Sequence, residues 1–167
     1  DLELLILRGE NRKNNDARRQ MLALADIAFL CLPDAAAIEA VSLIENDHVA
    51  VIDTSTAHRT NDAWAYGFAE LSAAHRLAIQ NSKRIANPGC HASGFIAGCY
   101  PLVKSGLVPA DFPLTAYSLT GYSGGGKALI AEYEAADRDV RHESHRIYGT
   151  TLQHKHLPEM QKLCGLA

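Results

Sequence analysis

The chain has 167 residues, 47% of them hydrophobic and 21% charged, enough to bury a core as one large or two small domains and too apolar for disorder. Its formal net charge of -3, with acids and bases interspersed, offers no basic field for a nucleic-acid backbone. No apolar run approaches the ~18 residues that cross a bilayer, and the first residues lack the basic, apolar and small-residue regions of a secretory signal, so a cytoplasmic protein without membrane or nucleic-acid partners is expected.

The chain opens inside an apolar stretch and closes at Cys164-Gly165-Leu166-Ala167 as a helix would end, so further polypeptide is expected on both sides. Leu2 to Leu7 reads as a buried strand ending at Arg8. Asp16 is a plausible N-cap for a helix carrying Met21, Leu22 and Leu24. A second apolar run, Ala25 to Leu32, stops at Pro33-Asp34; Asp34 can cap a helix from Ala35 to Ile44, and His48 to Ile52 supplies a third strand ending at Asp53-Thr54-Ser55. Strands apolar throughout, alternating with helices, predict a parallel sheet covered on both faces, half of a doubly wound domain.

After Ser55 the pattern loosens into a loop with Trp64, Tyr66 and Phe68, then a helix from Ser72 to Asn81 and a short strand Arg84-Ile85-Ala86. Asn87-Pro88-Gly89 breaks that strand, and Cys90 to Ser105 is helical. Leu114 to Thr120 reads as a strand, Gly124-Gly125-Gly126 as a forced turn and Lys127 to Ala136 as a helix. The last helix has Pro158 at its first position and Glu159 in the first turn, where the helix dipole favours an acid. The change from regular alternation to Gly-rich connections near residue 85 divides the chain into domains 1–86 and 87–167.

Four cysteines without paired spacing argue against a disulfide framework. Cys31 in a strand and Cys99 within a helix read as small core residues, and Cys164 near the chain end is uninformative. Cys90, between a Pro-Gly break and a helix, would set its sulfur at the positive end of a helix dipole, which favours the thiolate, although a buried apolar cysteine is the commoner case. His154 and His156 face one way on an extended segment. They suit proton transfer near neutral pH, a metal site completed by His142 or His145, or a plain histidine surface; signature metal spacing is lacking. Gly121 to Ala128 follows a strand and opens a helix, so its amides and Lys127 can cradle an anion, but Ala128 replaces the Ser or Thr of a nucleotide-triphosphate loop. Ser55, His58 and Arg59 fall at a strand's carboxyl end, where open parallel sheets hold ligands, and Arg59 can grip a phosphate or carboxylate with two nitrogens. Arg8, followed by Arg12 and Lys13, would favour a cofactor 2′-phosphate if Leu2 to Leu7 is the second strand of a dinucleotide fold.

Together, Asn87-Pro88-Gly89-Cys90, Gly121-Tyr122-Ser123-Gly124-Gly125-Gly126-Lys127, Ser55-Thr56-Ala57-His58-Arg59 and His154-Lys155-His156-Leu157-Pro158-Glu159 resemble the short type of N-acetyl-gamma-glutamyl-phosphate reductase in order and distance. The resemblance includes Cys31-Leu32-Pro33-Asp34 and covers nearly the whole chain. It implies an α/β fold: a Rossmann-type NADP domain, its glycine-rich loop lying before Asp1, followed by an α+β catalytic and oligomerisation domain of the semialdehyde dehydrogenase and glyceraldehyde-3-phosphate dehydrogenase kind. It implies Cys90 as nucleophile and His154 as acid/base, with Ser55, Arg59, Tyr122, Lys127 and His156 contacting substrate. Leu32, Pro33, Ser123, Gly124 and Gly125 would join Arg8 at NADP(H). The activity implied is NADPH-dependent reduction of an acyl phosphate, with release of phosphate, by a homo-oligomer on the route to arginine; no metal is implied. His91 stands where an aromatic such as Tyr is expected. A Cys-His hydrolase and an anion-binding regulatory module are the alternatives from other classes.

Overall fold

The computed structural model describes residues 2–147 and 151–167. Its first regular helix, α1 (Asn15–Leu24), begins two residues after the end of a 3-10 turn over Gly9–Lys13. The N-cap is Asn14, whose side chain accepts from Ala17 N, and not Asp16, which lies in the first turn. Strand β1 (Ile27–Leu30) follows, then α2 (Asp34–Ser42) and β2 (Ala50–Asp53). Pro33 occupies the N-cap of α2, and the Asp34 carboxylate turns instead to Thr56, accepting from its backbone N–H at 2.9 Å and from its hydroxyl.

Three further elements follow: β3 (Ala65–Tyr66), α3 (Ala73–Asn81, capped by Ser72) and β4 (Arg84–Ala86). The four strands form one parallel sheet in the order β1-β2-β4-β3, with Ile27 opposite Ala50, Val51 opposite Arg84 and Ala65 opposite Ile85. Strand β3 lies in the segment that the sequence presents as loop. Two residues carry no readable periodicity, and their pairing with β4 supplies what propensity does not.

Helix α4 (Cys90–Lys104) buries Ala92, Ile96 and Cys99, a spacing of one face of a helix, against Tyr66 and against Cys164 of α6 (Leu157–Cys164). Helix α6 closes at Gly165 in the left-handed conformation, φ 69°. A second cluster joins Leu30, Ala40 and Val51, where the Ala-rich α2 permits close approach to the strands.

Two expectations for the sheet are corrected. Leu2 to Leu7 forms no strand: it pairs with nothing among the described residues, and Leu2, Leu4 and Ile6 are exposed. Strand β1 is buried through Ala28 and Leu30 only, while Ile27 and Phe29 are exposed, so it alternates where burial on both faces is expected.

Residues 1–112 with 155–167 make one compact unit and residues 113–154 another. In the second unit Leu114 to Thr120 forms no β-strand, which corrects the expected strand. A 3-10 turn, Tyr122–Gly125, leads into α5 (Gly126–Glu134). Tyr133 of α5 stacks on Tyr122 at 4.8 Å and meets His142 at 4.5 Å, which organises a unit in which no described residue is fully buried.

Candidate active site

The carboxyl ends of β2 and β4 converge on the turn that precedes α4. Asn87 N–H donates to Asp53 O at 2.8 Å, holding the turn against β2. Gly89 is the N-cap of α4 at φ -72°, an ordinary backbone angle, so left-handed freedom is not why glycine stands there. The reason is space. A Cβ on Gly89 would lie 2.5 Å from Glu159 Oε1, 2.6 Å from Arg59 Nη1 and 2.6 Å from His156 Nε2. Three polar side chains thus crowd the residue before Cys90, the exposed first residue of a 15-residue helix.

Arg59 and Glu159 are 8% and 1% exposed and form a buried ion pair, Nη1 to Oε1 at 2.7 Å. Such a pair is tolerated where hydrogen bonds satisfy its remaining atoms. Arg59 Nε donates to Asn87 O and Nη2 to Thr54 O, each at 2.9 Å. Glu159 Oε2 accepts from Tyr66 Oη at 2.8 Å and from Gly89 N at 3.2 Å. Burial, followed by the bond to Glu159, pushes the Tyr66 phenol well above its ordinary value and keeps it protonated.

At the end of β2 stands a second buried group. Asp53, fully buried, accepts from Ser55 N at 2.9 Å and from Ser55 Oγ at 2.6 Å, and His58 Nδ1 lies 2.6 Å from its Oδ2. The His58 ring stacks on Trp64 at 4.0 Å. Ser55 and Arg59, expected at substrate, are thus buried in internal networks. On the surface nearby, Asp34 is held below the usual carboxylate range, chiefly by the Thr56 hydroxyl. Leu32 and Pro33 lie between the carboxyl end of β1 and α2, both exposed. Arg8 is also in the first unit, exposed, and precedes the 3-10 turn without a side-chain cap bond. The strand that would make it a 2′-phosphate reader is absent from residues 2–7.

Of the paired histidines, His156 is buried in the first unit as the N-cap of α6, its ring centroid 6.1 Å from that of His91. His154 is half-buried and closes the second unit. That unit also holds Tyr122, Ser123, Gly124, Gly125 and Lys127 around the start of α5. Gly126 takes φ 79°, a conformation that suits glycine. Tyr122 Oη donates to Glu134 at 3.0 Å, a bond that raises the phenol's pKa. Lys127 is exposed. No group of three metal-ligating side chains converges among the described residues.

Sequence reasoning missed Tyr66, Asp53 and the burial of Glu159. The only trace is the charge of Glu159 beside Pro158, which a helix N-terminus already explains; its partner Arg59 is 100 residues away.

Two domain models of the semialdehyde dehydrogenase family together match nearly the whole chain, and the chain belongs to that family. The family's NAD binding domain matches residues 6–79 and its dimerisation domain matches residues 90–167. More narrowly, the chain is 52% identical over its whole length to N-acetyl-gamma-glutamyl-phosphate reductase of Mesorhizobium japonicum, covering 54% of that protein. It is also 52% identical to the protein of that name from Chelativorans sp. and 46% identical to the one from Burkholderia orbicola, covering 53% of each. The chain thus spans about half the length of the curated relatives it matches. No solved structure matches it significantly.

Proposed function

We propose that this chain is the part of an N-acetyl-gamma-glutamyl-phosphate reductase that carries the nucleophile, acting in arginine biosynthesis. The observation that carries the proposal is Cys90: exposed, first in a helix, and preceded by a glycine that admits His156 to the turn. The Cys90 sulfur attacks the acyl carbon of N-acetyl-gamma-glutamyl phosphate, the carbon-oxygen bond to phosphate breaks, and the acyl group is held as a thioester. NADPH, when bound, would supply hydride chemistry for reduction to the aldehyde level. Helix amides beyond Gly89 steady the oxyanion, since Gly89 N–H is committed to Glu159. Cys90 then leaves as N-acetylglutamate 5-semialdehyde is released, and an imidazole gives and takes the proton. The exposed Leu32-Pro33 segment at the carboxyl edge of β1 fits one border of a dinucleotide, and the family motif assigns Ser123, Gly124 and Gly125 to the same cofactor. Lys127 and Tyr122 remain candidates for the phosphate and acyl ends of the substrate. A homo-oligomer is in keeping with the dimerisation domain matched.

The family motif gives the proton role to His154. A second possibility, favoured by the packing of His156 against Gly89, gives it to His156. The test is phosphate-dependent reduction of NADP by N-acetylglutamate semialdehyde in the full-length protein. Cys90→Ser should abolish turnover while leaving NADPH binding within a few-fold. Whichever of His154→Asn and His156→Asn costs the roughly 10²- to 10⁴-fold expected of a general acid-base identifies the imidazole. Turnover retained by Cys90→Ser would exclude the thioester.

A further inference from the structure

We propose that Glu159 is a positioning residue for this reaction: its buried carboxylate fixes the Cys90 turn relative to His156, and Arg59 and Tyr66 serve to hold that carboxylate. The proposal rests on the function proposed above. The turn is gripped at two points. Arg59 Nε holds the carbonyl of Asn87 and Glu159 Oε2 receives the N–H of Gly89, at 2.9 and 3.2 Å. The two grips are one rigid unit, because Arg59 Nη1 and Glu159 Oε1 are joined at 2.7 Å. The unit is anchored to the sheet by Arg59 Nη2 on Thr54 O and by Tyr66 Oη on Glu159.

What makes this more than a core ion pair is where Glu159 sits on its own helix. It is three residues after His156 and lies in the first turn of α6, so a single carboxylate links the helix start that bears the imidazole to the peptide that bears the nucleophile. Lys162, one turn further on, pins the same helix by donating to Thr60 O and Asp62. Covalent catalysis by a thiolate is sensitive to sub-ångström misplacement of the reacting groups, whereas ground-state binding of substrate is not. Loss of the Glu159 grip should therefore appear in kcat rather than in KM.

Glu159→Asp keeps the charge that Arg59 requires but shortens the reach by about one methylene, so Gly89 and Arg59 cannot both be served. In the full-length enzyme we expect kcat to fall by about 30-fold or more, with KM for N-acetylglutamate semialdehyde within threefold, below the melting transition. Iodoacetamide labelling of Cys90, followed by peptide mass spectrometry, should slow about tenfold while the exposed Cys31 labels at the wild-type rate. Tyr66→Phe removes one bond to Glu159 and leaves the ion pair; it is expected to lower kcat about three- to tenfold and keep KM. If Glu159→Asp does not fold, Tyr66→Phe decides. Wild-type kcat in either folded variant, or equal slowing of Cys31 and Cys90, overturns the proposal. Wild type without phosphate-dependent NADP reduction would instead sink the assigned reaction, and the Cys90 labelling ratio would still judge Glu159.

Discussion

Replacing Gly89 by alanine separates a glycine kept for space from one kept for conformation. At φ -72° alanine meets no backbone penalty, and stiffening the unfolded chain would by itself stabilise by about 0.4–1 kcal/mol. Against that, the new methyl would stand 2.5–2.6 Å from Glu159 Oε1, Arg59 Nη1 and His156 Nε2, where an ordinary contact begins at 3.4 Å. Two of those atoms cannot swing aside without breaking the bond that joins them. Overpacking of this kind costs about 1–3 kcal/mol, so a net loss of about 1–2 kcal/mol is expected. At the roughly 2–4 °C per kcal/mol of a 150–250-residue domain, that is a fall in Tm of roughly 2–8 °C. Gly94, in the exposed middle of α4 with nothing within 4 Å of its missing Cβ, is the matched control, and alanine there should raise Tm by about 1–3 °C. Differential scanning calorimetry of the two variants of the full-length protein reads both effects. A Gly89→Ala protein as stable as Gly94→Ala would refute the crowding of the turn.

The raised pKa of Tyr66 has a sign that can be checked. Folding favours its protonated form, so its contribution is present below the ordinary phenol value of 10.0 and is lost as pH rises past it. Urea titrations between pH about 8 and about 11 should show wild type losing stability faster than Tyr66→Phe at the alkaline end; parallel profiles would refute this. Ellman's reagent should react promptly with Cys31 and Cys90 and not with the buried Cys99 and Cys164 in the native protein. Burial and the neighbouring Cys99 push the Cys164 thiol up to about 12, so raising the pH to about 9 should not expose it. Release of four thiols at the rate of two would show that the α4–α6 packing is looser than the structure has it.

What was legible in the sequence was local. Ser72 before a helical run, the apolar Ile85 ahead of Asn87-Pro88-Gly89, and small residues recurring along α4 each signal their element within a few positions, and the structure forms all three. The end of a strand just before Ser55 to Arg59 and a helix headed by Cys90 also follow from neighbours alone. Leu2 to Leu7 shows the limit of that reasoning, because an apolar run specifies a strand only when another strand is beside it. Asp34 shows a second limit: its carboxylate could cap its own helix, but Thr56, 22 residues on, offers two donors to it. Arg59 shows the third. An arginine at a ligand-facing edge reads as an anion receptor until a carboxylate from the far end of the chain is found already in its grasp.

That separation has a consequence for how the protein is made. Arg59 emerges from the ribosome 100 residues before the carboxylate that neutralises it, an interval of about 5–20 s at ordinary rates of synthesis. Until then, burying its guanidinium would leave a charge uncompensated, so the end of β2 and the Asn87 turn have reason to stay open to water. The nascent chain can therefore settle α1, α2 and most of the sheet early, while the turn before Cys90 waits. Residues 113–154 lie in the chain between the two parts of the first unit and make up part of that interval. Lengthening that segment should cost little stability, since loop closure grows only logarithmically, yet it should postpone the moment at which Glu159 reaches Arg59 in the newly made chain.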